Sequence, residues 1–88
     1  MICAIDPGNA ESAYVLLDSG TLKPVSVGKV DNETLLEKVR KLPYDTELVI
    51  EMVASYGMAV GKEVFDTVFG AGRFWEAGNG LHRELISR

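Results

Sequence analysis

Residues 1–9 of the chain are Met1-Ile2-Cys3-Ala4-Ile5-Asp6-Pro7-Gly8-Asn9. The first five are apolar with no polar alternation, which is typical of a strand buried on both faces near the centre of an α/β sheet. The four residues from Asp6 to Asn9 predict a tight turn, because proline presets φ and glycine accepts positive φ. We therefore expect a central strand that ends on a carboxylate.

Two further strands and a helix are predicted before residue 43. Residues 12–17 and 24–29 are strand-like and flank a turn at residues 18–20, so the first three strands form a meander. Asp31 is a suitable helix N-cap, with Val30 and Leu35 spaced as a hydrophobic staple. Apolar residues then recur at helical spacing until Pro43, which predicts one short amphipathic helix.

The second half of the chain predicts a strand, a helix and a last strand. The strand covers residues 46–51, the helix runs from 60 to about 77, and the last strand covers 81–86. We expect Trp75 and the pair Phe65 and Phe69 in the core, and Gly70 and Gly72 to let the helix pack closely on the sheet. The predicted fold class is α/β, with the order βββαβαβ in a single domain over residues 1–88.

Composition restricts the class of protein. Hydrophobic residues make up 47% and charged residues 25%, as in ordinary globular domains. One cysteine cannot form an internal disulfide, and no stretch approaches the ~18 apolar residues of a membrane span. We expect a cytoplasmic protein with no membrane partner. The net charge of −4 disfavours a nucleic-acid partner unless a bound cation reverses the local sign.

Two carboxylates, Asp6 and Glu51, each follow an apolar strand. Ligand sites in open α/β sheets form beyond the carboxyl ends of parallel strands. If the two strands are parallel neighbours, the acids face each other and repel unless a cation lies between them, and Mg²⁺ or Mn²⁺ prefers such oxygen ligands. Each acid alone is also typical of a turn or a solvated strand end, so the pair leaves both interpretations open.

The segment from Ala4 to Asn9, followed by Ser12-Ala13-Tyr14, resembles the opening strand and turn of RuvC-type Holliday junction resolvases and their phage relatives. Residues 48–52 are similar to that family's second acidic strand, and the glycine-containing helix and last strand match in order. The resemblance implies a ribonuclease H-like fold in the cytoplasm of a bacterium or a phage-infected host. It also implies four carboxylates that hold two divalent cations, Mg²⁺ or Mn²⁺, of which Asp6 and Glu51 would be the first two.

The family's other two acids lie on a later helix with no counterpart in residues 1–88. We therefore expect a partial ribonuclease H-like domain that lacks the C-terminal helical part and has little activity by itself. The resemblance implies branched or double-stranded DNA as the partner, with Tyr56, Lys62 and Arg73 as candidate nucleic-acid-binding residues. It also implies a homodimer, which we expect to form through the unpaired last strand.

Two other classes share the expected fold. A noncatalytic nucleic-acid-binding or interaction module would have the sheet and helices without a complete metal site. Sugar kinases and actin-like ATPases also open with an apolar strand, an Asp and a Gly turn, but they enclose ATP between two large lobes. His82, the single histidine, is expected to be a structural or surface residue.

Overall fold

The computed structural model describes residues 1–52 and 61–87. The elements follow the predicted order βββαβαβ. None of the helices in this part of the chain is long and apolar enough to cross a membrane. The elements are β1 (Ile2–Asp6), β2 (Glu11–Leu17), β3 (Pro24–Asp31), α1 (Asn32–Arg40), β4 (Glu47–Met52), α2 (Lys62–Ala77) and β5 (His82–Ser87).

The five strands form one mixed sheet with the spatial order β3-β2-β1-β4-β5. β2 runs antiparallel to both β1 and β3, which gives the predicted meander. β4 is parallel to β1 on one side and to β5 on the other. β1 therefore lies at the centre of the sheet, as its continuous apolar run predicts.

Both helices pack on the same face of the sheet. Alternate residues of the two central strands, among them Cys3 and Ile5, are buried beneath α1 and α2. Burial raises the pKa of the Cys3 thiol to about 11. Ile2 and Ala4 point to the other face and are only half-buried. The prediction that β1 is buried on both faces is thus wrong for the part of the chain described, because both helices cover the same face of the sheet. The core comprises Cys3, Ile5, Leu35, Leu36, Val39, Leu48, Ile50, Ala71 and Phe74.

The start of α1 confirms the predicted cap. The Asp31 carboxylate accepts hydrogen bonds from the Thr34 backbone N–H at 3.0 Å and from the Thr34 hydroxyl at 2.6 Å. The hydroxyl and then the backbone N–H hold the pKa of Asp31 below its usual value. The charged form of this carboxylate therefore stabilises the first turn of α1.

α2 presents a different face to the core from the one predicted. Phe65 is 64% exposed and Phe69 is 72% exposed, whereas Phe74 is fully buried and Trp75 only partly buried against the core. Nine residues separate Phe65 from Phe74, and at ~100° per residue this places them on opposite sides of the helix. The expectation that the two exposed phenylalanines form the core is wrong, because α2 is apolar on both sides and the other side faces the sheet.

The glycines of α2 also differ from the prediction. Gly72 is exposed, with open space where a side chain would lie, and Gly70 lies beside α1 and the first turn instead of the sheet. The close approach to the sheet occurs at Gly78, where an added Cβ would collide with the Leu48 side chain. Gly78 is also the C-cap of α2, which ends where the sequence predicts.

We predict that Asp31→Ala lowers the melting temperature at pH 7 and that its effect shrinks in acid. The folded-state pKa of Asp31 is depressed, so its contribution is present above the unfolded-state pKa and disappears as pH falls through the folded-state value. Thermal unfolding of both proteins between pH 7 and pH 2 measures the difference. Asp45→Ala, which changes an exposed acid outside any helix or strand, is the control. A difference in melting temperature between wild type and Asp31→Ala that stays constant across this pH range would contradict a stabilising role for the charged carboxylate.

Candidate metal centre

Asp6 and Glu51 occupy neighbouring positions at one edge of the sheet. The last printed pair of the parallel β1–β4 ladder is Ile5 opposite Ile50, and each acid is the next residue on its strand. Register neighbours on adjacent strands have backbones about 4.8 Å apart. This is the placement that the sequence predicts for a shared cation site at the carboxyl ends of two parallel strands.

Strand alternation directs both acids away from the helices. Ile5 and Ile50 are buried under the helices, so the next residues point to the opposite face. There Asp6 and Glu51 line a shallow depression of about 290 Å³. Asp6 is exposed and Glu51 is half-buried. The floor is mostly apolar, and its side chains on this face are those of Ala4, Ala13, Val15, Val49 and Ile86.

The turn after Asp6 is held by a ring of hydrogen bonds, which we call the turn clamp and which consists of Gly8, Ser12 and Asn32. The Gly8 N–H donates to the Ser12 hydroxyl at 3.0 Å, and that hydroxyl donates to the Asn32 amide oxygen at 2.6 Å. The Asn32 amide nitrogen then donates back to the Gly8 carbonyl at 3.1 Å. Ser12 is 1% exposed, so its hydroxyl, which makes two of the three bonds, is shielded from water.

Three elements therefore position the backbone that carries Asp6. Ser12 belongs to β2, Asn32 is the first residue of α1, and Gly70 of α2 lies beside the clamp. A side chain at Gly8 would collide with the Glu11 carbonyl, so the turn closes this tightly only with glycine. The sequence placed Ser12 in a strand and in the family resemblance, but it did not reveal Asn32, because no local pattern marks a contact across 24 residues.

Among the residues that the structure describes, the site brings together two acids, Asp6 and Glu51. In the part of the chain described here, no three His, Cys, Asp or Glu side chains are grouped so that they could hold a metal ion. Glu84 of β5 lies opposite Val49, two residues before Glu51 on β4. In α2, Glu76 is exposed and Asp66 pairs with Lys62 at 2.7 Å. Two carboxylates suit one weakly bound, largely hydrated Mg²⁺ or Mn²⁺.

The predicted nucleic-acid-binding residues are not brought together. Tyr56 lies outside the described residues. Lys62 is in the first turn of α2 and, although paired with Asp66, its side chain is 88% exposed. Arg73 forms a salt bridge with Glu33 of α1 at 2.7 Å. Lys62 and Arg73 are eleven residues apart on α2, which corresponds to about 16 Å along the helix. These two basic residues therefore form no continuous basic surface.

No protein-family model matches the sequence, and a search of curated proteins gives no match. The functional interpretation therefore depends on the geometry of the site and on the residues that form it.

We predict that Ser12→Ala destabilises the protein by about 1–3 kcal/mol, because it leaves the Gly8 N–H and the Asn32 amide oxygen without their shared partner. Ser26→Ala is the matched control. Its hydroxyl bonds the Tyr14 hydroxyl at 3.0 Å on a half-buried strand position, and its loss should cost only ~0.5 kcal/mol. Urea unfolding measures both values. Equal losses of unfolding free energy for the two variants would show that the turn clamp stabilises the protein no more than a single half-buried hydrogen bond.

Proposed function

We propose that this chain is a ribonuclease H-like domain of the RuvC type, acting in divalent-metal-dependent cleavage of branched DNA. The observation that carries the proposal is the location of Asp6 and Glu51 on adjacent parallel strands, at the same edge and on the same face. The chain order βββαβαβ and the mixed sheet support it as well. Asp6 and Glu51 are the proposed ligands, and Mg²⁺ or Mn²⁺ the proposed cation.

The charge of the site gives each acid a role. Adjacent carboxylates repel each other, and a cation between them removes that repulsion and attracts a phosphate group. A bound divalent ion supplies a water of lowered pKa and polarises the phosphodiester. The overall charge of −4 is then compatible with a DNA partner, because the site itself changes sign.

The turn clamp disfavours a kinase-like or ATPase-like function. Such a function would use the backbone N–H groups of the glycine turn to hold phosphate. Here the Gly8 N–H donates inward to the buried Ser12 hydroxyl. Phosphate binding at this amide would require the clamp to open.

A noncatalytic DNA-binding or interaction module is the second candidate. The ligand count favours it, because two-metal cleavage needs cations ~3.5–4 Å apart and two carboxylates cannot hold both. The salt bridges of Lys62 and Arg73 also reduce the cationic surface that is available to phosphates. The two candidates differ in whether a metal at Asp6 and Glu51 contributes to binding DNA.

We predict that Mn²⁺ binds weakly at Asp6 and Glu51, and that Asp6→Asn lowers its affinity at least about tenfold by removing one of two anionic ligands. Electron paramagnetic resonance of free Mn²⁺ measures the affinity, and paramagnetic broadening of backbone amide signals locates the ion. Asp45→Asn, which removes an exposed acid elsewhere, keeps the same net charge as Asp6→Asn and should bind normally. Equal affinities for the two variants would contradict a site at Asp6.

We also predict that the 88-residue chain binds a four-way DNA junction more tightly with Mg²⁺ or Mn²⁺ than without, and that it cleaves the junction little. Asp6→Asn should remove the metal-dependent part of binding, since that part passes through the site. Fluorescence anisotropy with branched and linear DNA measures binding, and denaturing gels measure cleavage. Metal-independent binding would favour the noncatalytic module. Robust cleavage abolished by Asp6→Asn would contradict the predicted low activity and require ligands from a second chain.

A further inference from the structure

A cavity lies on the helix-covered side of the sheet, between the second half of α1 and strands β1, β2 and β3. Its volume is about 300 Å³, at the lower end of the range for small-molecule sites. We call it the α1 cavity. Its apolar wall consists of Cys3, Tyr14, Leu16, Leu35, Val39 and Leu42. Its polar lining consists of Ser26, Lys38 and Lys41.

The outer wall of the α1 cavity is fixed by the pairing of β2 with β3. Tyr14 and Gly28 are register partners on these strands, and an added Cβ at Gly28 would lie 3.2 Å from the Tyr14 ring. The absence of that side chain lets the ring lie across β3, where the Tyr14 and Ser26 hydroxyls share a hydrogen bond at 3.0 Å. The wall is therefore held in place by contacts between strands.

Both charged residues that line the α1 cavity are cationic. Lys38 and Lys41 are three residues apart, which places them on the same side of the end of α1. The Lys38 ammonium lies 5.7 Å from the centroid of the Tyr14 ring, and this contact keeps it beside the cavity. Among the described residues, neither lysine forms a salt bridge, and Glu37 pairs with Arg40 instead.

We propose that the α1 cavity binds a free medium-chain carboxylate, with its alkyl chain against the apolar wall and its carboxylate between the ammonium groups of Lys38 and Lys41. Burial of the chain removes apolar surface from water on both partners. The two ammonium groups give the carboxylate charge-assisted hydrogen bonds. A volume of about 300 Å³ suits one short chain and is too small for a helix of a partner protein.

The C-terminal end of α1 does not exclude an anion from this place. The last carbonyls of a helix carry about −0.5 charge, whereas the two lysines carry two positive charges. The carbonyls of Lys38 and Val39 also accept hydrogen bonds from the Lys41 and Leu42 N–H groups, both at 3.2 Å. Burial raises the pKa of the Cys3 thiol to about 11, so this part of the wall is neutral at pH 7. The net charge at the cavity is therefore positive.

Octanoate tests the proposal, because it joins a short alkyl chain to one carboxylate, and octanol is its neutral match. Titrations in EDTA exclude the proposed metal site, which lies on the other face of the sheet and on which this inference does not depend. We expect octanoate to bind with a Kd of about 0.1–1 mM and octanol at least about fivefold more weakly. In nuclear magnetic resonance spectra, the amide shifts caused by octanoate should centre on Leu16, Ser26 and Leu42.

Removal of the two cations tests the role of charge. Lys38→Gln combined with Lys41→Gln keeps most of the side-chain length and helix propensity. The Kd of octanoate should rise at least about tenfold, whereas the Kd of octanol should stay within about twofold of wild type. Lys23→Gln combined with Lys29→Gln removes the same charge at exposed positions outside the cavity. This matched control should bind octanoate like wild type.

A larger side chain in the wall tests the location. Ser26→Phe places a ring at the α1 cavity and should weaken the binding of octanoate and octanol at least about tenfold each. Circular dichroism checks the fold of every variant, and if Ser26→Phe does not fold, the amide shifts alone locate the ligand. No binding of octanoate up to about 10 mM, equal affinities for octanoate and octanol, shifts centred elsewhere, or equal weakening in both lysine pairs would each overturn the proposal.

Discussion

The parallel pairing of β1 with β4 is the constraint on which the rest of this structure depends. β3, β4 and β5 run in the same direction as β1. The connections from β3 to β4 and from β4 to β5 must therefore be crossovers. Both crossovers move the same way across the sheet, from β3 to β4 and then to β5. Two crossovers of the same handedness that proceed in the same direction across a sheet place their helices on the same face of it. The core accordingly forms between that face and the two helices.

One-sided packing determines where chemistry can occur. Strand alternation places Ile5 and Ile50 under the helices, so the acids that follow them face the other side of the sheet. The turn clamp adds rigidity to one of the two strands, since it joins Gly8 to residues of β2 and α1. A cation held by Asp6 would thus be bound to a backbone that hydrogen bonds from β2 and α1 fix, which reduces the entropy lost on binding.

The prediction of α2 shows where pattern reasoning reached its limit. Helical spacing correctly indicated the helix and its end near residue 77. It also placed Phe65 and Phe69 on one stripe, which is correct. The error was to assume that this stripe faces the core, because Ala71 and Phe74 form a second apolar stripe on the other side. When a helix is apolar on both sides, periodicity cannot indicate which side the sheet covers.

The sequence by itself determined the elements that depend on local chemistry: the apolar central strand, the Asp31 cap and the end of α2 near residue 77. It also indicated that two strands end on acids. Only the tertiary structure decided that these strands are adjacent, parallel and in the register that aligns Asp6 with Glu51. Local preferences act over a few residues, whereas strand pairing and helix orientation are set by burying apolar surface between segments distant in the chain.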